Sequence, residues 1–271
     1  MSSEPVPVST SPAVETFSLV KLFGSFVAVD NLDLQVKRGS FFGFLGPNGA
    51  GKSTTIKMLT GLLAPTSGQL RVLGVDIIQH PMEVKRRIGV VPEDLNLFER
   101  LTGVEMLAFT GRMYGLTKPE IAQRSKELLE LMELQDEPKK LIIEYSHGMK
   151  KKLSLACALI HRPEILFLDE PFEGVDAIAS RTLKDLLSRL TARGLTVFLT
   201  SHVLEIVERL CSDIAIIAQG KLLAAGSLTE LRKGIRLEDE SNGPVSLEEY
   251  FIHVVGGTRI DSEQEVLQWL T

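Results

Sequence analysis

The chain has 271 residues, 44% of them hydrophobic and 24% charged, with a formal net charge of −5 and two cysteines. That is the balance of an ordinary protein with a sizeable core, and the acidic sum excludes nucleic acid as a bulk partner because no basic face is implied. No run approaches the roughly 18 to 20 uncharged apolar residues of a membrane helix, and the Ser/Pro/Glu start does not read as a secretory signal.

Residues 1 to about 13 read as a disordered Ser/Pro-rich tail. From Glu15 to Val36, apolar residues alternate (Phe17, Leu19; Leu32, Leu34, Val36), predicting antiparallel strands. An apolar run at Phe41, Phe42, Phe44 and Leu45 follows, then a glycine loop, then an amphipathic stretch from Ile56 to Leu63. Short strands are predicted at Leu70–Leu73 and Ile88–Val91, and helices at Val104–Tyr114 and Lys118–Met132. Met149, Leu153, Ala156, Cys157 and Ile160 form a helical stripe within 146–160. Strands Ile165–Leu168, Leu195–Thr200 and Ile214–Ala218 are separated by helices Ala179–Thr191 and Val203–Leu210. Strands alternating with helices predict an α/β fold, with a mostly parallel sheet and helices on one face. After Gly234 come an acidic loop (Arg236–Gly243) and two short helix candidates, Ser246–His253 and Ser262–Leu270, the second carrying Trp269. This end reads as a small appendage. Both cysteines, Cys157 and Cys211, lie in apolar periodic segments and read as buried free thiols.

The glycine loop is Gly46-Pro47-Asn48-Gly49-Ala50-Gly51-Lys52-Ser53-Thr54, a G-x-x-x-x-G-K-S pattern between strand and helix. Backbone N–H groups in such a loop, with the positive end of the following helix, cradle a phosphate. Lys52 would reach the β- and γ-phosphates and Ser53 would bind Mg²⁺. A nucleoside triphosphate site is therefore expected. Asp169 and Glu170 end an apolar strand: Asp169 would orient Mg²⁺, and Glu170, one residue on, would polarise an attacking water. His202 follows another strand and would donate to the γ-phosphate as charge develops there. Alone, the acidic pair reads equally as a cap, and the histidine as a surface residue. Ser146, with His147, Gly148 and Met149, opens a helix; it is either a simple N-cap or an anion site for a second copy of the chain. Lys150, Lys151 and Lys152 read as a solvated helix face.

Taken in order, these motifs resemble those of the nucleotide-binding subunit of ATP-binding cassette (ABC) transporters, over about Phe17 to Arg232. They are the phosphate loop, the segment Val91-Pro92-Glu93, the signature Ser146–Met149, the strand ending Asp169-Glu170, the loop Gly174-Val175-Asp176, and His202. The resemblance implies a P-loop NTPase core over 14–233 with an antiparallel β subdomain, a helical subdomain near 98–161 and an appendage over 234–271. It implies an ATPase using ATP and Mg²⁺, with Lys52, Glu170 and His202 catalytic, and Ser53, Asp169 and Glu93 serving the metal. Phe23 would stack on adenine. Two copies, or this chain and a homologous ATPase subunit, would sandwich ATP head to tail, with Ser146, His147, Gly148, Met149 and Asp176 closing the opposite site. Integral membrane permease subunits would be the other partners, and the chain would sit in the cytoplasm, peripheral on the inner face of the cell membrane. Leu101–Glu105, Tyr114-Gly115-Leu116 and Ser246–Phe251 resemble the drug- and lipid-exporting branch. Alternatives are a regulatory ABC protein of low turnover and a soluble non-transport ABC ATPase.

Two positions depart from the family pattern. Glu93 stands where Gln is usual, and a carboxylate cannot donate as an amide does. His147 stands where Gly is usual; a protonated imidazole would attract the opposite γ-phosphate and make assembly depend on pH.

Overall fold

The computed structural model describes residues 11–234 and 246–256. The elements run β1 (Val14–Phe23), β2 (Phe26–Val36), β3 (Phe41–Leu45), α1 (Lys52–Leu59), β4 (Ser67–Val72), β5 (Val75–Asp76), α2 (Pro81–Lys85) and β6 (Ile88–Val91). They continue with α3 (Gly103–Met113), α4 (Lys118–Leu131), α5 (His147–Leu159), β7 (Ile165–Asp169), α6 (Ala177–Ala192), β8 (Thr196–Ser201), α7 (Leu204–Leu210), β9 (Asp213–Ala218), β10 (Lys221–Ser227), α8 (Leu228–Gly234) and α9 (Leu247–Gly256). The candidate helix Ser262–Leu270 and the acidic loop lie outside the described residues.

Two sheets form. One is antiparallel in the order β2-β1-β4-β5; the other has the order β10-β9-β3-β8-β7-β6. In the second sheet β9, β3, β8, β7 and β6 pair parallel, and only β10 runs antiparallel, on β9. Strands β3, β6 and β7 read as near-continuous apolar runs because both faces of the sheet are covered there. Along β7, Ile165 and Phe167 join a core with the antiparallel sheet and α1, whereas Leu166 and Leu168 join a core with helices α3 to α7. The expectation of helices on one face is thus refined: α1 and the antiparallel sheet cover the other. Phe198 anchors that second core, its ring 5.5 Å from those of Phe42, Phe44 and Phe167.

Thr102 and Thr117 cap α3 and α4, each with a glutamate three residues later completing a capping box. Ala13, at the end of the segment read as a tail, is fully buried and donates its N–H to Val36. At the other end α9 packs on α7, α8 and β10, with Leu247 and Tyr250 buried in the helical core.

Candidate functional site

β3 delivers the glycine loop from the middle of the parallel sheet. A Cβ at Gly46 would lie 2.3 Å from the Ile217 carbonyl oxygen, and one at Gly51, where φ is +106°, would lie 2.5 Å from that of Ala28. Only glycine fits this path. Gly51 precedes α1 without a side-chain cap, and no acidic residue occupies the first turn. The first N–H groups of α1 are therefore left without a protein side-chain acceptor, at the positive end of the helix. That is the donor set a phosphate requires. Lys52 is buried, and its Nζ donates to the carbonyls of Gly46 (2.8 Å) and Pro47 (3.3 Å).

β7 and β8 bring the second half. They pair in register at Asp169 and Thr200, and the Thr200 hydroxyl donates to Asp169 Oδ1 at 2.5 Å while accepting from the Glu170 N–H at 3.2 Å. Glu170 takes the left-handed φ of +45°, which turns its carboxylate toward the loop. Its Oε1 lies 3.7 Å from Lys52 Nζ and 3.1 Å from His202 Nδ1. The histidine is off the hydrogen-bond line, so this buried oxygen accepts no hydrogen bond. It is an acceptor with spare capacity, which a base for water needs.

Phosphate loop, Glu93, Glu170, Glu173 and His202 line one cleft of about 440 Å³. Two surface grooves, of about 840 and 620 Å³, are larger. Neither contains the loop or these carboxylates, so the chemistry is placed by residue type and not by volume. Glu93, an exposed residue, has its carboxyl raised above its usual value, first by partial desolvation at the cleft edge and then by Asp169, Glu173, Asp94 and Glu170. Among the described residues no three His, Cys, Asp or Glu side chains converge as a metal cage. The donor set suits a cation that keeps its waters and leans on one or two protein oxygens plus phosphates, which is how Mg²⁺ binds.

The remaining candidates lie elsewhere. Ser146 caps α5, accepting from Met149 N–H at 3.2 Å, and the α5 tip does not line the cleft. His147 packs against Gly174, and Gly148 lies beside Asp176. Asp176 caps α6, accepting from Ile178 and Ala179. Phe23 is half exposed, with Lys21 Nζ 5.1 Å from its ring centroid, while its hairpin partner Phe26 lines the cleft. The solvated-face expectation for the lysines is overturned. Lys151 and Lys152 are buried because α5 is packed between β6 and helices α3, α4 and α6. Lys150 pairs with Glu99 and Lys152 with Glu133. Sequence reasoning missed Lys151, Thr200, Glu173 and Phe26; Thr200 alone carried a signal, as the last apolar-strand residue before Ser201-His202.

The sequence profile described as "ABC transporter" matches residues 29–173. The chain is 40% identical over 248 residues to the bacitracin transport ATP-binding protein of Bacillus licheniformis, covering 89% of this chain and 80% of that protein. It is 42% identical over 211 residues to a Nod factor export ATP-binding protein of Cupriavidus metallidurans, covering 78% and 70%. A solved ATP-binding subunit of an ABC transporter superimposes with a TM-score of 0.82 at 30% identity, covering 90% of this chain and 99% of that one. With this loop, these strand-end acids and these relatives, the chain belongs to the ABC transporter family as one of its ATP-binding, ATP-hydrolysing subunits.

Proposed function

We propose that this subunit is the motor of an exporter: it hydrolyses ATP at the interface of a head-to-tail dimer and drives separate membrane-spanning chains. The observation that carries the reading is the buried, unbonded Glu170 oxygen between Lys52 and His202, facing the uncapped end of α1. Lys52 and the loop N–H groups hold the β- and γ-phosphates, and Phe23 lies against the adenine. Ser53, Asp169 and Glu93 would hold Mg²⁺, which neutralises phosphate charge when bound. Glu170 takes a proton from the attacking water, the bond between the γ-phosphorus and the bridging oxygen breaks, and ADP and phosphate leave. His202 donates to the γ-phosphate oxygen as charge builds. Ser146, His147, Gly148 and Met149, with Asp176, close the site from the opposite subunit.

The named relatives serve bacitracin transport and Nod factor export, which supports the exporter reading. Among the described residues no helix is long and apolar enough to cross a membrane. A transporter subunit of this kind would work through permease chains, from the cytoplasmic face. The test is ATP turnover of the wild type against Glu170→Gln. Loss of a general base should lower kcat by about 10²- to 10⁴-fold. Equal, substantial rates would remove the proposed base, and a wild-type rate at background would favour a regulatory subunit.

A further inference from the structure

Lys151 is a buried charged residue that the mechanism leaves unused. It sits just over one turn into α5, is 3% exposed, and lies under the cleft, not on the surface. Its ammonium donates to the backbone carbonyl of Glu170 at 3.2 Å and approaches that of Glu93 at 3.5 Å. Burying an ammonium is costly unless it gains partners, and the two carbonyls are what it gains. The acidic groups it feels are Glu173, Glu93, Asp169 and Glu170, all around the same cleft.

Glu170 needs such a hold. Its φ of +45° is a left-handed conformation that strains a non-glycine residue, adopted where the surroundings enforce it. The enforcement is two-sided: Thr200 accepts from the Glu170 N–H and Lys151 donates to the Glu170 carbonyl. With the peptide groups on both sides of its Cα held, Glu170 has little freedom to rotate about φ and ψ, so the carboxylate stays aimed between Lys52 and His202.

We infer that Lys151 is a positioning residue for the hydrolytic carboxylate, fixing the strained backbone of Glu170 and tying the Glu93 loop to it. The inference rests on Glu170 acting as the base. Because Lys151 rides on the helix whose tip carries Ser146, the same helix that reaches for a partner's nucleotide also sets the geometry of this subunit's own base.

The experiment measures steady-state and single-turnover ATP hydrolysis, with affinity for a fluorescent ATP analogue, for Lys151→Met and Lys151→Arg in the wild-type and Glu170→Gln backgrounds. Lys151→Met should lower kcat by about 10-fold or more, with KM and analogue affinity within about 2-fold of the wild type. Lys151→Arg, which keeps a charged donor, should recover most of that loss. In the Glu170→Gln background Lys151→Met should change the residual single-turnover rate by less than about 2-fold, because there is no base left to aim. An equal fall in both backgrounds, a fall matched by lost nucleotide affinity, or no fall at all would overturn the inference. So would failure of both Lys151→Met and Lys151→Gln to fold, which would make the lysine a structural strut. If Glu170→Gln turns over like the wild type, the base reading fails and takes the inference with it; a collapsed Glu170→Gln beside an unaffected Lys151→Met sinks the lysine alone.

Discussion

Glu93 shows how one oxygen-for-nitrogen difference loads a cleft with charge. Although Glu93 is exposed, its carboxyl is raised, first by partial desolvation beside the cleft and then by four acidic neighbours, Asp169, Glu173, Asp94 and Glu170. The folded protein therefore holds this proton to a higher pH than the unfolded chain does, and stability is lost as pH rises from the usual carboxylate range through the raised value. Glu93→Gln removes that loss. The variant should melt at or above the wild type near about pH 7, with the gap closing toward about pH 4, where both chains are neutral at this position. A gap that widens in acid would overturn the sign. Hydrolysis should be kept or raised, because an amide restores a donor near the γ-phosphate and relieves repulsion around Glu170. Collapse to background would instead show that the carboxylate is required for the metal.

At the level of elements, the strands and helices that the sequence disclosed are those whose pattern is set by burial on a regular lattice. Ile165–Leu168 and Ile88–Val91 are apolar at every position because both sheet faces are covered, and a run of that kind needs no tertiary knowledge. What escaped was short or set by neighbours. α2 has five residues, and β10 is an edge strand of exposed and half-buried residues with no strong alternation. The lysines of α5 escaped for another reason: their burial follows from what surrounds the helix, which local charge pattern does not encode. The site divides likewise. The loop lysine and the strand-end acids are legible from spacing, whereas Lys151 and Thr200 act through backbone atoms 19 to 58 residues away that only the fold brings near. α9 carries the element-scale prediction. Leu247 is 1% exposed and is one of two α9 side chains buried in the helical core. Leu247→Ala should cost about 2 kcal/mol, at the low end for a buried leucine because a peripheral helix can settle into the space. Amide exchange across α9 should accelerate correspondingly, and wild-type exchange rates in the variant would show that the helix is held by other contacts.

At the scale of the whole molecule, the cleft is lined by the phosphate loop, Glu93, Glu170, Glu173 and His202, and no residue of the α5 tip joins them. Among the described residues Ser146 caps its own helix, and the adjoining Gly148 lies beside Asp176, giving a small surface built from the first turn of α5 and the start of α6. A head-to-tail pair gives that surface a ligand, since each tip then meets the phosphate held by the other copy. Complementation decides the matter. Lys52→Ala disables the loop and Ser146→Arg disables the tip, so either homodimer has two damaged sites. In the mixed dimer one site carries both defects, but the other combines an intact loop with an intact tip. Mixing the two inactive variants should therefore restore ATP turnover in proportion to the mixed dimers formed, up to about half the wild-type rate per dimer if the sites work independently. Were the tip to serve its own chain's nucleotide, every site in the mixture would remain defective and no turnover would return.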